Sequence, residues 1–71
     1  MKEYLLVSYP VKRRVLVDGV DQGDTETLLS FEPGQHTVRL GGLADFTPDQ
    51  EVVWLVGTDQ LDPLHITFAP K

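Results

Sequence analysis

The chain has 71 residues, 41% of them apolar and 24% charged, which suits one small globular domain and excludes a disordered tail. It has no Cys and two histidines, His36 and His65, so no disulfide can staple it, and a core burying only roughly 60% of the unfolded surface has to suffice. A formal net charge of −5 repels phosphate backbones and anionic lipid, which sets nucleic acid and membrane surfaces aside as partners.

The opening residues Met1 to Pro10 hold an apolar stretch too short for a secretory core, and nothing reaches transmembrane length. The expected compartment is cytoplasmic if the chain is complete, and extracytoplasmic if it was cut from a larger surface protein. Along the chain no helical period lasts, whereas β-branched and aromatic runs recur between Gly, Pro and Asp clusters. Strands are predicted at Lys2 to Tyr9, Arg13 to Val17, Thr27 to Phe31, Gln35 to Leu40, Gln50 to Val56 and Leu64 to Phe68. Asp18-Gly19 supplies the two positive-φ positions of a type I′ turn, so Arg13 to Val17 doubles back there. Pro33-Gly34 marks a type II turn, which makes Thr27 to Phe31 and Gln35 to Leu40 a second expected hairpin.

Alternation places Val15 with Val17, and Val38 and Leu40 with His36, leaving Thr37 and Arg39 opposite. Two segments are apolar on both faces: Tyr4 and Leu6 alternate with Leu5, Val7 and Tyr9, and Val52, Trp54 and Val56 alternate with Val53 and Leu55. In a two-layer sandwich such a segment is either covered on both sides or exposes a patch that a partner covers. The outward set is taken as Leu5, Val7, Tyr9, Val53 and Leu55, with Tyr9 as the interface anchor. The competing reading has Ala44 to Pro48 folding across that face.

The order Ser8-x-Pro10, Val15-x-Val17-Asp18-Gly19, Gly23-x-Thr25 and Pro33-Gly34-x-His36-x-Val38-x-Leu40 resembles the PEGA domain family from about Tyr4 to Phe68. Three positions depart from that pattern: Arg13 stands where Ala or Gly is usual, Glu26 where Pro is usual, and Gly41-Gly42-Leu43 replaces Gly-Tyr. The resemblance implies a β-sandwich similar to transthyretin-like and carboxypeptidase-regulatory-like domains. It implies a non-catalytic module of bacterial and archaeal proteins, often surface-exposed, that mediates protein contacts, with no catalytic residues to carry over.

The remaining candidates have milder readings. Asp18, Asp21, Asp24 and Glu26 offer carboxylates for calcium, but their spacing fits no EF-hand or Gly-Asp repeat, and a turn-rich loop explains them. His36 reads as a structural histidine hydrogen-bonded near its turn and His65 as exposed, and a lone pair lacks a third metal ligand. Trp54, with Val52 and Val56 at its parity, reads as core, the alternative being a stacking platform for a sugar ring. Lys12-Arg13-Arg14 reads as a guard against edge-to-edge strand pairing. No nucleophile elbow, P-loop or dinucleotide fingerprint occurs.

The expectation is therefore an all-β chain, a small antiparallel β-sandwich of about six or seven strands spanning residues 1–71 as one domain. It is not expected to be an enzyme or to hold a cofactor or metal. Its expected role is protein interaction or structure, with a protein partner or neighbouring domain, or a homodimer through the first or last strand as an edge. A carbohydrate-binding module is the alternative.

Overall fold

A computed structural model describes residues 2–71, and its ordered elements are all strands. In chain order they are β1 (Glu3–Ser8), β2 (Arg14–Val17), β3 (Val20–Asp24), β4 (Leu28–Phe31), β5 (Gly34–Leu40), β6 (Phe46–Thr47), β7 (Glu51–Leu55), β8 (Leu64–Thr67) and β9 (Ala69–Pro70). They form a three-stranded sheet of order β4-β1-β8, a four-stranded sheet of order β3-β2-β5-β7 and a small β6-β9 ribbon. All ladders are antiparallel except β1 with β8, where Leu5 pairs with Leu64 and Val7 with Ile66 in parallel.

Asp18 and Gly19 take φ of 53° and 82°, the two positive values a type I′ turn requires, and β2 turns directly into β3. The ladder then carries a bulge, because Val15 pairs with Gly23 but Leu16 with Asp21, leaving Gln22 without an opposite residue. Gly23 reaches φ 149° there.

The second expected hairpin does not form. β4 pairs with β1, placing Leu29 opposite Leu5, while β5 lies between β2 and β7 in the other sheet. Pro33-Gly34 instead turns the chain from one layer to the other. His36 holds this corner, its Nε2 bonded to the Glu32 carbonyl at 2.8 Å and its ring 5.6 Å from that of Phe31. The apolar inner face of each segment is satisfied across the sandwich, so the corner needs no ladder between its two arms.

One contiguous core fills the space between the layers. Leu5, Val7, Tyr9, Leu29, Ile66 and Phe68 face Val15, Val17, Val38, Leu40 and Leu55. Phe46 closes one end, its ring edge-on to Phe68 at 5.5 Å and 87°. Such a T-shaped aromatic contact adds roughly 0.5–1.5 kcal/mol beyond burial. The β6-β9 ribbon carries Phe46 there, pairing it with Pro70.

Candidate interaction edge

The structure reverses the parity assigned to the two doubly apolar strands. Leu5, Val7, Tyr9 and Leu55 are buried in the core, and Val53 packs against it, so these five do not form an exposed patch. Tyr4, Leu6 and Ser8 occupy the outer face of β1 and are half-buried. The Ala44 to Pro48 segment does fold across the inner set: Phe46 enters the core, and the Tyr9 hydroxyl donates to the Asp45 carbonyl at 3.3 Å. β1 is also flanked on both sides, by β4 and β8, so it offers no free edge for a homodimer.

The exposed apolar row lies on β7 and just past it. Val52, Trp54 and Val56 are 51%, 68% and 70% exposed. This overturns the assignment of Trp54 to the core. The register explains the reversal: Val53 pairs with His36 and Leu55 with Gly34 on the inner side, while Val52 pairs with Thr37 and Trp54 with the exposed Gln35 on the outer side. β7 is the last strand of its sheet and is bonded only to β5, so alternate residues on its other side present unpaired backbone N–H and C=O groups. Glu51–Leu55 has no Lys, no Pro and no register shift against β5, and its one charge, Glu51, stands at the very start, so Val52 to Leu55 carries none of the usual devices that blunt an edge.

The end of this row is firmly placed. Glu3, a buried carboxylate on β1, accepts from the Thr58 backbone N–H at 2.8 Å and from its hydroxyl at 2.7 Å. The same Thr58 oxygen accepts from the Tyr4 N–H at 2.6 Å. The two donors of Thr58 hold the Glu3 carboxyl below the usual range. The chain leaving β7 is thereby tied to the first strand of the opposite layer.

The acidic residues of the β2–β3 region are directed to separate partners. Asp18 accepts from the Thr37 N–H at 3.0 Å and contacts His36 at 2.7 Å. Asp21 and Asp24 bind Arg14, at 2.8 Å and 2.9 Å. Glu26 accepts from the Tyr9 N–H at 3.3 Å. Among the described residues no group of His, Cys, Asp or Glu takes a metal-holding arrangement. His36 is a corner histidine as expected, and His65 is exposed on β8.

The basic run does not guard an edge, since β2 lies between β3 and β5. Arg13 is a clamp on the loop after β5. It donates to the Gly41 carbonyl from Nε at 3.0 Å and to the Leu43 carbonyl from Nη2 at 2.6 Å, and pairs with Asp45 at 2.8 Å. Its guanidinium also lies 5.6 Å and 5.7 Å from the centres of the Tyr9 and Phe46 rings. The described residues enclose no pocket. No family model matches the chain, and no curated protein or solved structure matches it either.

Proposed function

We propose that the chain is a non-catalytic interaction module of PEGA-like type, which meets another protein through the β7 edge. The observation that carries this reading is a row of three exposed apolar side chains, Val52 and Trp54 on a terminal strand whose backbone is unpaired on one side and Val56 just past it. An exposed apolar row coinciding with an unguarded edge supports contact by strand addition, in which backbone bonds give affinity and alternate side chains give selectivity. The other exposed apolar residues are either outside the regular strands, such as Leu43 and Leu61, or single residues at a strand start, Val20 on β3 and Leu28 on β4, so none of them forms a row.

A second reading is favoured by one observation: the Trp54 ring is free to stack on a sugar. Sugar recognition also needs polar groups around the platform, and the neighbours of Trp54 in the strand and its flank are Val52 and Val56, with Gln35 the one polar residue directly opposite. This favours a protein partner.

The test compares the wild-type chain with Val52→Lys/Trp54→Ser in crosslinking and affinity capture, alongside a glycan array. A partner retained by the wild type and lost by a variant with unchanged circular dichroism supports the reading. A partner captured equally by both, or none at all, overturns it. Binding of a polysaccharide with quenching of Trp54 turns the assignment to the sugar module.

A further inference from the structure

The charge of this molecule is unevenly distributed, and most of its carboxylates without a cation flank β7. Residues 40–70 contain Asp45, Asp49, Glu51, Asp59 and Asp62 and no Lys or Arg. Asp45 is matched by Arg13. Among the described residues, Asp49, Glu51, Asp59 and Asp62 have no cation within salt-bridge distance, and neither do Glu3 and Glu26, which are held by hydrogen bonds, whereas Asp18, Asp21 and Glu32 each have one and Asp24 has two. Asp49 and Glu51 stand at the start of β7, and Asp59 and Asp62 follow its end, where Asp59 and Asp62 bond each other's backbones at 3.1 Å and 3.2 Å. The row Val52, Trp54, Val56 thus runs between two acidic ends. Arg39, the one cation on the outer face of β5, is exposed one position beyond the Val38–Glu51 pair, near the acidic start of β7, yet it is not within salt-bridge distance of Asp49 or Glu51.

Resting on the edge reading above, we propose that the occupant of β7 is an extended strand of another protein, apolar in its middle and cationic at its ends. The middle pairs with the free backbone groups of Glu51–Leu55 and packs on Val52, Trp54 and Val56. Its Lys or Arg residues meet Asp49 at one end, with Glu51 adding charge from the inner side of the strand, and Asp59 and Asp62 at the other, where complementary charge fixes register and speeds encounter. A second copy of this chain fits less well. Antiparallel self-pairing about Val53 sets Val52 against Trp54, a favourable cross-strand pair, but it also sets Asp49 of one copy against Gly57 of the other, so that the acidic start of one β7 adjoins the acidic segment after the other. Both copies also carry net charge −5.

Two synthetic peptides test this with the full chain: an alternating valine-threonine strand flanked by lysines, and the same strand flanked by glutamates. Trp54 fluorescence follows binding, and amide hydrogen exchange reports protection on β7. The expected result is saturable binding of the lysine peptide, weakened by salt, with the glutamate peptide at least tenfold weaker. The variant Asp49→Asn/Glu51→Gln/Asp59→Asn/Asp62→Asn should lose that preference while still protecting β7 amides. Equal binding of both peptides by the wild type overturns the cationic occupant and leaves the edge as a contact site. Binding of neither peptide overturns both. Concentration-dependent dimerisation abolished by Val52→Lys replaces the proposed occupant with a second copy.

Discussion

His36 and Asp18 are joined by a 2.7 Å contact between Nδ1 and Oδ2, while Nε2 of the same ring faces the Glu32 carbonyl at 2.8 Å. Neither an ionised carboxylate nor a carbonyl donates, so both ring nitrogens must, and the imidazolium is the form that satisfies this corner. The Glu32 carbonyl and the Asp18 carboxylate raise the ring above its ordinary 6.5 despite partial burial. The Thr37 N–H and His36 lower Asp18 below its ordinary 3.8. The hydrogen bonds tie the β2–β3 turn to the corner between the layers.

The sign of the pH dependence follows. The His36 contribution is full below its unfolded value of 6.5 and is lost as pH rises through the higher folded value. The Asp18 contribution is present above 3.8 and is lost as pH falls through the lower folded value. Urea midpoints should therefore fall as pH rises above 6.5, and His36→Gln should remove that limb. A ring titration by nuclear magnetic resonance giving His36 a value at or below 6.5 contradicts this.

Gly23 is predicted to resist substitution. A Cβ added there lies 2.8 Å from Cδ2 of the buried Leu29, at a backbone φ of 149°. Gly23→Ala should cost roughly 1–3 kcal/mol, from strain and overpacking together. For so small a domain each kcal/mol lowers Tm by about 4–8 °C. An unchanged melting curve would show that the bulge relaxes freely.

Arg13 should be replaceable by neither Ala nor Lys. Its fork reaches two loop carbonyls and Asp45 while lying against two aromatic rings, and an ammonium cannot span those acceptors in one plane. Arg13→Ala is expected to cost about 2–3 kcal/mol. Limited proteolysis should open the Gly41 to Asp45 loop in both variants, and full protection in Arg13→Lys would reduce the clamp to a simple charge.

The only Trp and the largest fully buried side chain should behave oppositely. Trp54→Ser removes an exposed ring and should change stability by no more than about 0.5 kcal/mol. Phe68→Ala empties the centre of the core and should cost about 3–5 kcal/mol. In the native wild type, Trp54 emission should be red-shifted and readily quenched by acrylamide. A blue, protected emission would mean that something already covers β7.

What the sequence could disclose depended on whether a feature is local. The Asp18-Gly19 turn was legible because two adjacent positions need positive φ, and the structure supplies them. Pro33-Gly34 disclosed a change of direction but not its destination, since the pairing of Leu29 with Leu5 is set by a strand far earlier in the chain. The inner faces of β1 and β7 were undetermined because both faces are apolar, and parity followed only from register. For β7 that register is carried by β5 across a loop, so nothing local to Trp54 shows that it faces out. Two-residue β6 and β9 are too short to show any period, though Phe46 and Phe68 were visible as large apolar residues needing burial. The concentration of unmatched carboxylates in the last part of the chain was countable from the start, and acquired meaning only once β7 proved terminal.

The parallel alignment of Leu5 with Leu64 also governs the order in which the molecule can be completed. During synthesis β1 emerges well before β8, which supplies one of its two flanks. A nascent chain stalled between β4 and β8 holds β1 with β4 alone, its other side open and sticky, so ribosome-bound intermediates should bind chaperones until β8 arrives.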